Sequence, residues 1–277
     1  MPVKLKHYHI VQEHPVRIIS KCKSHSNGTL LSFLIGFSVL YAVINWVPEL
    51  LSLFFPATNL DLAAAYSDTD PEMLSKLPGT PLVHIFYLVL FNGVFKLSEA
   101  LYTLTYIRNR TVEYSALTES LNYYFKTLGI FLLETVIISF WMLLFIIPGI
   151  IAALNFAQAF YILADDPDKS VTQVLAESKM MMYGNRMNYI RLLICYVPYM
   201  LIAYTPAFII ASIVSGMTLS SAAITAIGLL ADIPLFFAYG YVSLGRTVFY
   251  ELMLNNGFAD FKYAGQDAFR EFETREQ

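Results

Sequence analysis

The chain has 277 residues, 57% of them hydrophobic and only 14% charged, with a mean hydropathy of +0.55 and a net charge of −3. Soluble domains carry about 25% charged residues, so an ordinary water-soluble fold is excluded and the chain falls in the membrane class. The small net charge gives no basis for a nucleic-acid partner, and Cys22 and Cys195 alone supply no disulfide framework.

Residues 1–28 read as a cytoplasmic N-terminal tail, with Lys4, Lys6, Arg17, Lys21 and Lys23 against one acid, Glu13. His7, His9, His14, Cys22 and His25 match no closed zinc pattern, so no metal site is expected and the segment is read as solvated. Residues 16–25 can form a short interfacial helix. The apolar run that follows exceeds the 7–15 residues of a signal core and is expected to stay as an anchor.

The apolar runs predict six spans within residues 29–254. Span 1 covers about 29–55, with Trp46 at the outer interface. An acidic outer loop, 56–80, contains Lys76 as its only base. Span 2 runs from about Pro81 to Ile107 and ends on Arg108-Asn109-Arg110. Residues 111–126 predict an inner amphipathic helix, its apolar face made by Val112, Leu117, Leu121, Tyr124 and Phe125.

The run 127–164, TLGIFLLETVIISFWMLLFIIPGIIAALNFAQAFYILA, is too long for one span of roughly 20 residues and suits two. Pro148-Gly149 near its middle marks the expected hairpin turn. A second inner helix is predicted over 166–184, capped by Asp166, opened by Pro167 and stopped by Gly184. Val171, Val174, Leu175, Ser178, Met181 and Met182 form one face, read as a membrane-resting or bundle-facing stripe and not as a ligand groove. Span 5 covers about Met187–Val214, a short outer loop 215–221, and span 6 about Ala222–Leu254, with kinks expected at Asp232-Ile233-Pro234 and Gly240. Residues 255–277 form a charged cytoplasmic tail.

With both ends inside, every Lys and Arg except Lys76, Lys96 and Arg246 falls on or beside the cytoplasmic side, as the positive-inside rule requires. The fold class is therefore all-α: a polytopic transmembrane bundle of six spans, arranged as three helical hairpins with cytoplasmic amphipathic helices. A shift of 58 residues lays Glu119-Ser120 on Glu177-Ser178, Met142-Leu143 on Met200-Leu201 and Pro148 on Pro206, which suggests a hairpin repeat.

No phosphate loop, nucleophile elbow, HExxH or CxxC set occurs, so no catalytic residue, cofactor or enzymatic activity is expected. The informative chemistry is charge within apolar spans: Lys96 and Glu99 in span 2, Glu134 in span 3, and Asp232 and Arg246 in span 6. Ionisable groups at this depth cost roughly 2.5–3.5 kcal/mol on insertion scales and face the bundle interior. Lys96 and Glu134 have matched depths and are expected to pair, with Glu99 one turn from Lys96 competing for it. A structural ion pair is the simpler reading; a relay through Glu134, Lys96 and Asp232 is the alternative.

LLFIIPGIIAALNFAQAFYILADDPDKSVTQVLAESKMMMYGNRMNYIRLLI, followed by VFYELM, resembles the bacterial integral membrane family called domain of unknown function nine-seventy-five. The resemblance runs from about Glu119 to Leu254, and the early third matches in outline. It implies a multi-pass protein of the bacterial cytoplasmic membrane and supplies no activity. The expectation is a non-enzymatic protein that binds membrane lipids, membrane-protein partners or a second copy of itself. The rival is a small-solute or ion transporter using the buried charges.

Overall fold

The computed structural model describes residues 8–25, 28–54, 82–214 and 221–254. The expected outer loop 56–80, the expected outer loop 215–221 except for Ser221, the first seven residues and the 255–277 tail lie outside the described residues. Those described are all-α, without a strand. The helices are α1 (Pro15–His25), α2 (Leu30–Phe54), α3 (Leu82–Asn109), α4 (Ala116–Glu119), α5 (Tyr124–Leu144) and α6 (Ile146–Phe156). They continue as α7 (Ala159–Asp165), α8 (Val171–Met182), α9 (Arg186–Val214), α10 (Ser221–Ala231) and α11 (Ile233–Leu254).

Among the described residues, five segments are long and apolar enough to cross a membrane: Leu30–Leu51, His84–Asn109, Ala116–Leu144, Ile146–Asp165 and Arg186–Val214. They correspond to predicted spans 1 to 5. Predicted span 6 is divided at Asp232 into α10 and α11. Pro234 cannot donate to the carbonyl of Leu230, and its ring crowds that group. The amides of Leu235 and Phe236 turn back instead to the Asp232 carbonyl, at 3.0 and 3.2 Å.

α3 and α11 form the centre. α3 packs against α2, α5, α7 and α11, and α11 against α1, α2, α3 and α9. Their C-terminal halves are the most buried, with Tyr102, Tyr106, Val248, Phe249 and Tyr250 nearly sealed. Phe33 stacks between Tyr102 and Tyr106, at centroid distances of 5.0 and 4.4 Å. Large apolar side chains at the far ends, including Phe86, Leu143, Ile147, Ile202 and Phe208, contact little protein.

The hairpin break inside 127–164 falls at Phe145, three residues before the expected Pro148-Gly149. Phe145 is extended, with φ −154° and ψ 133°. Pro148 acts four residues upstream, because its ring excludes the Leu144 carbonyl that a continuous helix would place there. Pro148 itself sits in the first turn of α6, where a missing N–H costs nothing. Gly149 lets α6 close on α5: a Cβ there would stand 2.8 Å from the Met142 Cα and 2.9 Å from its nitrogen.

Two segments predicted to be inner helices depart from prediction. The first is a short α4 and a 3₁₀ turn, Ser120–Tyr123, leading into α5. It buries Ala116, Ser120 and Thr127 and leaves Leu121 and Phe125 exposed. The stretch is not one continuous helix, and its predicted apolar face divides: Val112 and Leu117 pack against the core, while Leu121 and Phe125 are exposed. The second, α8, begins at Val171 and not at Pro167. Ser170 caps it and forms a reciprocal capping box with Gln173. The predicted face is otherwise correct: Val174, Leu175, Ser178, Met181 and Met182 are buried. Gly184 ends the segment with φ +84°. The repeat-related Ser120 and Ser178 are both buried and tie helices together, through Ser98 Oγ at 2.5 Å and the Asn155 carbonyl at 2.7 Å. Their proline counterparts differ, since Pro206 lies within α9.

The segment from residue 8 to 25 is packed along one face and is not wholly solvated. Val11, Pro15, Ile18 and Cys22 recur at helical spacing and are buried. The His9 amide donates to Met253 at 3.0 Å. Asn185 accepts from the Val11 amide at 2.9 Å and donates to the His9 carbonyl at 3.0 Å. The Tyr8 hydroxyl donates to Glu177. Burial, and then that carboxylate, push the Tyr8 hydroxyl well above its ordinary range. Burial pushes the Cys22 thiol up to about 12.

Candidate functional site

A cavity of about 250 Å³ lies between α3, α5, α6, α7 and α11. Lys96, Glu99, Glu134 and Arg246 line it together with Ile138, Ala153, Phe156, Phe160 and Tyr161. At 1.5 Å per residue, Lys96 is about 20 Å from the C-terminal end of α3, and Glu134 about 15 Å from the start of α5.

Lys96 and Glu134 meet, as their matched depth predicts. The ammonium also lies 5.2 Å from the ring centroids of both Phe131 and Phe160. Glu134 is 5% exposed, whereas the Lys96 side chain is 38% exposed. Glu99 does not take Lys96. It pairs with Arg246, whose Nη1 donates to it at 3.2 Å, while Nε donates to the Tyr189 hydroxyl at 3.1 Å. The i, i+3 spacing of Lys96 and Glu99 turns both toward one lining.

A polar column continues from the cavity. Thr247 Oγ1 lies 2.7 Å from Thr103 Oγ1 and 3.2 Å from the Tyr161 hydroxyl. Tyr161 stacks on Tyr250 at 5.2 Å, and Tyr250 donates to Asp165 at 2.7 Å. Arg108 closes the column by bridging Asp165 and Glu251, each at 2.6 Å. Unpaired polar groups at such burial are costly, and each of these has a partner.

Sequence reasoning missed Tyr161, Tyr189, Thr247 and the Arg108–Asp165–Glu251 bracket. Arg108 was legible only as an inner-end anchor; Asp165 and Glu251 stand in the ILADDP and YELM motifs, which gave no pairing. Asp232 does not join the relay with Glu134 and Lys96. It lines a separate groove with Glu49, between α9, α10 and the end of α2. Among the described residues, no group of three His, Cys, Asp or Glu side chains could hold a metal ion.

The fold and cavity define a protein of membrane type, all-α among the described residues, with five apolar helical segments of spanning length there and four charges lining the cavity. The chain belongs to the family described as protein of unknown function (DUF975), whose model matches residues 20–256. The match takes in α2 and α3, beyond the segment that carried the resemblance. No curated protein and no solved structure matches the chain.

Proposed function

We propose that the protein is a non-catalytic, multi-pass component of the bacterial cytoplasmic membrane, with both termini inside, and that it binds the polar end of a membrane lipid in the charged cavity. The observation that carries this reading is the cavity itself. Four charges line a space of about 250 Å³ among helices whose outer faces are apolar. Drug-sized ligands fill roughly 300–1,000 Å³, so this volume suits a headgroup. Charges at mid-helix are expensive where lipid surrounds them, and a polar ligand gives them a use beyond pairing.

Native mass spectrometry of the purified chain tests the reading. Wild type is expected to retain lipid, and Ala153→Trp, which fills the cavity without removing a charge, to lose it. Equal retention by both would sink lipid binding at this site. The same spectra report subunit number, which bears on α9, whose apolar window is only 6% buried. For orientation, single cysteines at Ser67 and Ser170, in a background lacking Cys22 and Cys195, are expected to react with an impermeant thiol reagent at 67 only. Labelling at 170 alone would invert the topology.

A second reading, transport of a proton or small solute, is favoured by the polar column running from the cavity to Arg108. Flux in proteoliposomes that is abolished by Thr247→Val would support it.

A further inference from the structure

We propose that the cavity selects a zwitterion: a ligand carrying a primary ammonium and, a few bonds away, a phosphate or carboxylate. This rests on the binding reading above and names the class of ligand. The four lining charges are two cations, Lys96 and Arg246, and two anions, Glu99 and Glu134. They sum to zero. A purely anionic or purely cationic guest would bring an uncompensated charge into a poorly solvated space, which is strongly unfavourable. A zwitterion leaves the sum at zero and offers a partner to each sign.

The pairing pattern leaves valences for such a guest. Arg246 uses Nη1 on Glu99 and Nε on Tyr189. Among the described residues, its Nη2 has no hydrogen-bond acceptor. Glu99 and Glu134 each engage one oxygen, with Arg246 and Lys96 respectively. Their second oxygens accept no hydrogen bond among the described residues. An oxyanion can thus receive from Arg246 Nη2 and from the half-exposed Lys96 ammonium. The ligand's ammonium can donate to the two free carboxylate oxygens. A quaternary ammonium has no N–H to donate. Of the three rings lining the cavity, Phe160 already faces Lys96 and Tyr161 stacks on Tyr250, which leaves Phe156 alone for a cation–π contact. The expected order is therefore phosphatidylethanolamine ahead of both phosphatidylcholine and phosphatidylglycerol.

The test uses the full chain in nanodiscs with the three lipids at matched acyl chains, and native mass spectrometry to read retention. Wild type is expected to favour phosphatidylethanolamine over each of the others by about tenfold, the ratio that 1.4 kcal/mol gives. Glu99→Gln leaves the lining one charge positive. It is expected to shift the preference toward anionic phosphatidylglycerol, a gain that loss of fold cannot imitate. Wild-type preference for phosphatidylglycerol, or an unchanged order in Glu99→Gln, overturns the zwitterion assignment while leaving lipid binding intact if Ala153→Trp still abolishes retention. Retention unaffected by Ala153→Trp overturns both. Free glycerophosphoethanolamine separates the sources: thermal stabilisation by it, lost in Arg246→Gln, assigns a water-borne zwitterion. Stabilisation by the lipid alone assigns the headgroup. Either supports the proposal, and stabilisation by neither overturns it.

Discussion

Replacing Lys96 by Met would strand the Glu134 carboxylate. That side chain is 7% exposed, so water reaches it poorly and its charge would lose its direct partner. Breaking a buried ion pair by removing one member costs about 3–5 kcal/mol. Arg246 lines the same cavity and offsets part of the loss, which favours about 3 kcal/mol. In chains of 150–250 residues, 1 kcal/mol shifts Tm by about 2–4 °C, so the expected drop is about 6–12 °C. Glu134→Gln leaves an ammonium that is 38% exposed and flanked by two rings. That cation is less buried than the carboxylate and keeps both ring contacts, so the loss is expected to be smaller, about 1–3 kcal/mol. The double variant removes both charges and is expected to return to within about 1 kcal/mol of wild type. Thermal unfolding of the four proteins in one detergent measures the cycle. Losses that add to within about 0.3–0.5 kcal/mol would show that the two residues are independent and refute the reasoning.

Gly149→Ala would drive a methyl into the Met142 backbone and is expected to cost about 1–3 kcal/mol, read as a lowered Tm. Ser170→Ala removes the capping box of α8 and should cost about 1 kcal/mol, with Ser170→Asn near neutral. Asn185→Ala leaves the buried Val11 amide unsatisfied, at about 1–3 kcal/mol. It should also free residues 8–12 and speed Cys22 modification. In the intact protein, the Cys22 thiol stays protonated from its ordinary 9 up to about 12. Its burial therefore stabilises the fold fully below about pH 9, and that contribution is lost as pH rises toward about 12. Thiol labelling at pH 8 as rapid as in the unfolded chain would contradict the packed α1.

Long apolar runs were readable because membrane-type helices need only length and composition, and α2, α3, α5, α6 with α7, and α9 fall where hydropathy puts them. The face of α8 was readable from its helical period. The N-terminal segment was misjudged because its charges outweighed a sparse stripe, Val11, Pro15, Ile18 and Cys22, whose partners lie on α9 and α11. The 111–126 segment was read as one helix because its apolar residues recur near helical spacing, whereas the backbone there forms only the short α4 and a 3₁₀ turn. In an apolar environment the tight contacts fall to small residues such as Ala116 and Ser120. Lys96 and Glu134 were paired by depth alone. Arg246 could not be assigned to Glu99, because they come from helices far apart in sequence whose relative rotation no local pattern encodes.

A photoactivatable phosphatidylethanolamine with its reactive group near the ammonium, incorporated in nanodiscs with the full chain, tests the binding claim most directly. The account predicts crosslinks within residues 153–161 and at Ile138, lost in Ala153→Trp. Crosslinks confined to the Glu49–Asp232 groove, or unchanged by Ala153→Trp, would contradict it.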